Sequence, residues 1–190
     1  MPGHLDLTIC FCHANNRCAA TGALTREATS TEAGLLCMST PSSPRYATGV
    51  LGRLFVVRWR VFRLVDLADV RAQIAKVRRI GGRKLVYLSL IPASPRTFSQ
   101  REEQALAGFL RDLLVHDCES IHHVIEGEGF VSSARRSIVT NMAISTSTPG
   151  AFQTYGTLEE AVAVLARTVR RSEDGLMTAM RERSLTFPAD

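Results

Sequence analysis

The stretch "KLVYLSLIP", residues 84–92, is a nearly unbroken apolar run closed by a proline. A run of this length ending at Pro92 reads as a strand buried on both faces, because a strand with one wet face alternates apolar and polar residues. Such a strand requires other elements above and below it. Its neighbours in the sequence carry the helical period that supplies them.

Before it, "VDLADVRAQIAKVRRIGG" places Leu67, Val70, Ile74 and Val77 on one helical stripe. Asp66 is the expected N-cap, and Gly81-Gly82 the expected left-handed stop. After it, "SQRE" (Ser99 to Glu102) is a capping box. The helix it opens buries Leu106, Phe109 or Leu110, and Leu113. "SIHHVIE" is the next strand, and "VSSARRSIVTNM" the next helix, with Ile138, Val139 and Met142 packed inward. "AFQTY" is a short last strand. A second capping box, "TLEE" (Thr157 to Glu160), opens a helix with Leu158, Val162, Leu165 and Val169 on its buried side.

The series begins at "GRLFVVRWRVF", where Phe55, Val57, Trp59 and Val61 alternate with Arg58 and Arg60. Period two with β-branched and aromatic residues predicts a strand. Its arginines predict one wet side, at an edge or facing a partner. The order is therefore β-α-β-α-β-α-β-α. This predicts a small α/β layer with a mostly parallel sheet and right-handed crossovers. At ~120 residues it is too short for a full doubly wound dinucleotide fold.

The flanks read differently. Residues 1–43 are rich in Ala, Thr, Ser and Cys without a sustained period, and the stretch runs on into "MSTPSSPRYATG", a turn-forming linker. They are expected to be a disordered tail or a mis-assigned start, with Met38 the natural first residue. Residues 44–170 hold the domain. The stretch 171–190, "RSEDGLMTAMRERSLTFPAD", is expected to fray as a C-terminal tail.

The chain of 190 residues is 45% hydrophobic and 22% charged, the balance of an ordinary globular domain. No apolar run approaches the ~20 residues that span a bilayer, and "LDLTICFC" carries Asp6 with no basic residue before it, unlike a secretory signal. The expectation is a cytoplasmic protein without a membrane segment. The net charge is +5, but basic residues are interspersed with acids and no nucleic-acid motif is present. Solvated charge is the favoured reading over nucleic-acid binding through Arg58, Arg60, Arg78, Arg79 and Arg83. Cys10, Cys12, His13 and Cys18 lie close together but lack the second ligand pair of a zinc site, and Cys37 stands apart. No metal and no cofactor is expected. Cys118 reads as an apolar residue, since no base stands beside it.

One stretch is chemically dense: "VIEGEGFVSSARRSIV", residues 124–139. Read as an active site, it offers Glu126 and Glu128 but no nucleophile with a base and an orienting group. His122 and His123 fall on opposite faces of their strand and cannot share a metal. Read as a partner or anion site, it offers Ser132, Ser133, Arg135 and Arg136 at a helix start. The plainer reading is a glycine turn, a serine N-cap and two solvated arginines. In either case the segment belongs to the carboxyl ends of the strands, where open α/β sheets meet ligands and partners.

Four features carry a resemblance. They are "RLFVVRWRVF", a helix closed by "IGGRK", "LVYLSLIP" followed by a capped helix, and the closing "FQTYGTLEEAVAVL". Over roughly residues 50–169 this layout resembles the STAS fold of SpoIIAA-like anti-sigma factor antagonists. The resemblance implies a non-enzymatic regulatory or scaffold domain that acts by binding a protein partner, a kinase or an anti-sigma-like regulator. It also implies phosphorylation at the head of the helix after the central strand. Where the family carries Asp-Ser-Ser-Gly, this chain reads "IPASPRTFSQREE", so Ser94 and Ser99 are the positional counterparts. The alternative reading is a small α/β enzyme, or a binder of an anion or small ligand, that uses the strand-end loops.

Overall fold

The computed structural model describes residues 43, 45–94, 97–144 and 150–186, the side chains of 142–144 excepted. The tail expected over 1–43, Met38, the four N-terminal cysteines and the Met142 contact lie outside the described residues, apart from Ser43.

Five strands form one sheet in sequence order. They are β1 (Tyr46–Leu51), β2 (Leu54–Trp59), β3 (Leu85–Ile91), β4 (Cys118–Ile125) and β5 (Phe152–Tyr155). β1 runs antiparallel to β2, and the other pairs are parallel. The helices are α1 (Asp66–Gly81), α2 (Gln100–His116), α3 (Gly129–Ile144), α4 (Leu158–Thr168) and α5 (Glu173–Glu182). Each parallel step from β2 to β5 passes through one helix.

β3 is the middle strand, and all seven of its residues are buried. One face of the sheet packs Phe55, Val57, Tyr87 and Ile121 against Val70 and Ile74 of α1, Leu110 and Leu113 of α2, and Val139 of α3. The other packs Leu54, Val56, Leu88 and Val124 against Val162 and Leu165 of α4, and Leu176 and Met180 of α5. The result is three layers, with α1, α2 and α3 on one side and α4 and α5 on the other. Both capping boxes form, at Ser99 with Glu102 and at Thr157 with Glu160.

Five expectations are corrected. The stretch "YATGVL" is a strand, joined to β2 by a two-residue hairpin in which Gly52 takes φ +64°. β1 therefore makes β2 an inner strand. The supposed wet face of β2 is covered, because half-buried Arg58 donates to the carbonyl of Thr186 at 2.7 Å. Val61 lies beyond the strand and is exposed. Residues 171–186 do not fray: they include α5, and Leu176, Met180 and Leu185 are fully buried. Leu185 reaches so close to Gly49 that an added Cβ there would stand 2.5 Å from its methyl group.

Asp66 is not the N-cap of α1. Val65 holds that position, and the buried Asp66 carboxylate receives a forked pair of bonds from Arg45, Nε at 2.9 Å and Nη2 at 2.6 Å. A charged fork of this kind ties the entry of β1 to the start of α1. Gly82, in the left-handed conformation, closes α1.

Candidate functional site

All four parallel strands end on one edge, and the loops that follow them build two hollows there. The larger, about 600 Å³, lies past the ends of β4 and β5. Val124 and Leu158 are apolar parts of its lining; Glu126, Glu128, Glu159 and Arg181 bring charge to it. The head of α4 adds Gly156 and Thr157, and α5 adds Met177. The acidic segment singled out in the sequence therefore does border a cleft. The glycine between its acids permits a close approach. Gly127 sits at φ +102°, and a Cβ there would come within 2.7 Å of Ser132 Oγ and 3.0 Å of Ala93 Cβ. Gly129, at φ +84°, faces open space.

The four side chains expected to receive an anion or a partner do not form one open site. α3 begins at Gly129, so Ser132 lies in its first turn and is not the cap. Ser132 is buried and donates to the carbonyl of Glu126 at 3.3 Å. Ser133 is exposed and receives Arg136 Nη2 at 3.2 Å. Arg136 Nη1 donates to the carbonyls of Ile125 and Gly127, each at 3.1 Å, and so closes the end of β4. Arg135 is buried, donates Nη1 to the Pro92 carbonyl at 3.0 Å and lies 4.9 Å from the centre of the Phe98 ring. The two arginines are therefore not simply surface charges: half-buried Arg136 braces the β4 loop, and buried Arg135 reaches across to the loop after β3. Sequence spacing does not show this, because both residues follow one glycine turn and the direction each takes depends on the helix phase.

Ser94 is half-buried in the loop after β3. Ser99 is exposed, but its hydroxyl works as the cap of α2: it accepts Glu102 N at 3.3 Å and donates to the Glu102 carboxylate at 2.9 Å.

The two histidines do point to opposite faces. His122 Nδ1 lies 3.0 Å from Tyr155 Oη and Nε2 3.1 Å from Ser120 Oγ. Burial pulls its pKa down to about 4. His123 is enclosed by the Tyr87 and Phe152 rings, and neither of its ring nitrogens finds a partner. Burial, and then the neighbouring charge of His122, pull it down to about 3. Both are neutral at pH 7 and neither opens on the cleft. The Cys118 thiol is pushed up to about 12, first by burial and then by the Asp117 carboxylate, which makes it a poor nucleophile.

Among the described residues no group of three or more His, Cys, Asp or Glu side chains could hold a metal ion. Among them, too, no helix is long and apolar enough to cross a membrane. Exposed apolar side chains do gather at the carboxyl edge: Val61 and Val65 follow β2, and Phe130, 86% exposed, stands two residues beyond Glu128. Comparison of the chain with family models, with curated proteins and with solved structures finds no match.

Proposed function

We propose that this chain is a binding domain that acts through a protein partner seated on the carboxyl edge of its sheet. This is the mode of action that the SpoIIAA-like resemblance implies. The observation that carries the reading is Phe130. A phenylalanine left 86% exposed at the head of a helix, beside a charged cleft, leaves apolar area in water that a partner would cover. Glu126, Glu128 and Glu159 suit a basic side chain of that partner entering the cleft. The reactive side chains nearby are engaged elsewhere: Ser132 on a backbone carbonyl and Arg136 on two more.

A second reading, a small-ligand binder, is favoured by the cleft itself. Its volume of about 600 Å³ lies in the range of ligand sites, and polar groups from the β4 loop, α4 and α5 converge on it. Affinity capture from the native host separates the two. Wild-type protein should retain a partner that both Phe130→Asp and Glu128→Lys lose, with unchanged circular dichroism. Full retention by both folded variants would remove the protein-partner reading and leave the ligand reading standing.

A further inference from the structure

The second hollow, about 240 Å³, opens at the same edge past the ends of β2 and β3. Phe62 and Phe98 form its apolar walls, and Arg60 and Arg135 its charged ones. The wall is stiff, because Trp59, Phe62 and Phe98 meet edge to face in sequence at centroid distances of 5.3 and 5.6 Å. The Arg135 guanidinium is fixed by the Phe98 ring and by the Pro92 carbonyl, and the residue is 4% exposed. Arg60 is exposed and brings a second guanidinium from the end of β2. The described residues that line the hollow include no carboxylate.

We infer that this hollow binds a small organic anion, its carboxylate or phosphate head between Arg60 and Arg135 and a short apolar body against Phe62 and Phe98. Two cations at a partly dry concavity attract an anion more strongly than the same charges on an open surface. A preset guanidinium also loses little freedom when it pairs with an oxyanion. The size sets the class. At roughly 30 Å³ per water, 240 Å³ holds about eight waters, so the ligand has on the order of ten non-hydrogen atoms. The site is separate from Phe130 and the acidic cleft, and it stands or falls independently of the partner reading.

The test is a titration of the 15N-labelled full chain with phenyl phosphate and with benzoate, at ionic strength fixed by sodium chloride and with phenol as the neutral control. At least one anion should give saturable shifts at the Phe62 and Phe98 amides and at the Trp59 indole N–H, and phenol should give none. The anion that binds identifies the head group. Arg60→Gln should weaken that binding about tenfold, the loss of one charge-assisted bond, with unchanged circular dichroism. Val61→Glu, which adds a carboxylate to the lining from an exposed position, should abolish it. Three results would each overturn the inference: no saturable shift with either anion, shifts that map to another surface, or undiminished binding by both variants.

Discussion

His123 sits in dry surroundings. It is 1% exposed, lies between aromatic rings, and neither nitrogen has a hydrogen-bond partner. A neutral imidazole tolerates this better than a charged one, which is why its pKa falls from the ordinary 6.5 to about 3. His122, though bonded to Tyr155 and Ser120, falls to about 4. The sign follows from linkage. Below pH 6.5 the unfolded chain binds protons that the folded chain refuses, so the histidines' contribution to stability declines as pH drops and is level above neutrality. Each histidine contributes a slope of about 1.4 kcal/mol per pH unit between its two pKa values. Replacing His123 with Phe should therefore remove about half of the decline between pH 6.5 and about 5, before the carboxylates add their own term. Urea midpoints for wild type and His123→Phe across that window would show it. Parallel curves would mean that His123 is protonated in the folded state. The sequence pair "HH" in a strand makes the opposite faces legible, since alternation is built into the pleat. It does not make legible that both faces are dry, because that depends on α4 and α5 covering one side.

The elements missed in the sequence, β1 and α5, are weakly patterned. β1, "YATGVL", carries Ala47 and Gly49 where a typical strand has branched or aromatic side chains. Its small residues leave room for Leu185, and its polar ones tie it to α1: Thr48 Oγ1 meets Gln73 Oε1 at 2.8 Å, and Tyr46 Oη bonds the Asp69 carboxylate. A serine- and proline-rich stretch just before it hides the change of period. α5 has an interior glycine, Gly175, and only two buried anchors, Leu176 and Met180, one turn apart. Neither its propensity nor its pattern marks a helix by itself. Tertiary packing decides both: α5 closes the second face over Ala47, Leu51, Leu54 and Leu88. Leu176→Ala should therefore cost ~2–5 kcal/mol, the range for truncating a fully buried leucine. Denaturant unfolding gives the number. A cost within experimental error of zero would mean that α5 does not hold the sheet. By contrast, the two capping boxes, the stripe of α1 and the dry run of β3 were readable directly, because each is a local rule that tertiary contacts reinforce.

At the level of the whole chain, alternating strands and helices impose one directional fact: every parallel strand delivers its following loop to the same edge. That much of the site was legible, and it brought "EGEG" to the rim of a cleft. The grouping of its neighbours was not legible. Arg135 leaves the α3 turn for the loop after β3 and joins Arg60, more than seventy residues earlier in the chain, around a different hollow. The same edge thus carries an acidic cleft, a basic hollow, and exposed Val61, Val65 and Phe130. The opposite edge, where α1 and α2 end, exposes Ile80 and Val115. Charge at the two carboxyl-edge hollows and apolar area between strand-end loops are the features of a surface that meets another molecule. Placing a photo-reactive phenylalanine analogue at position 130, or at position 80 as the control, and irradiating the native host tests this most directly. The account predicts a discrete protein adduct from position 130 and none from position 80. An adduct pattern identical at the two positions, or no adduct at 130 from folded protein, would contradict it.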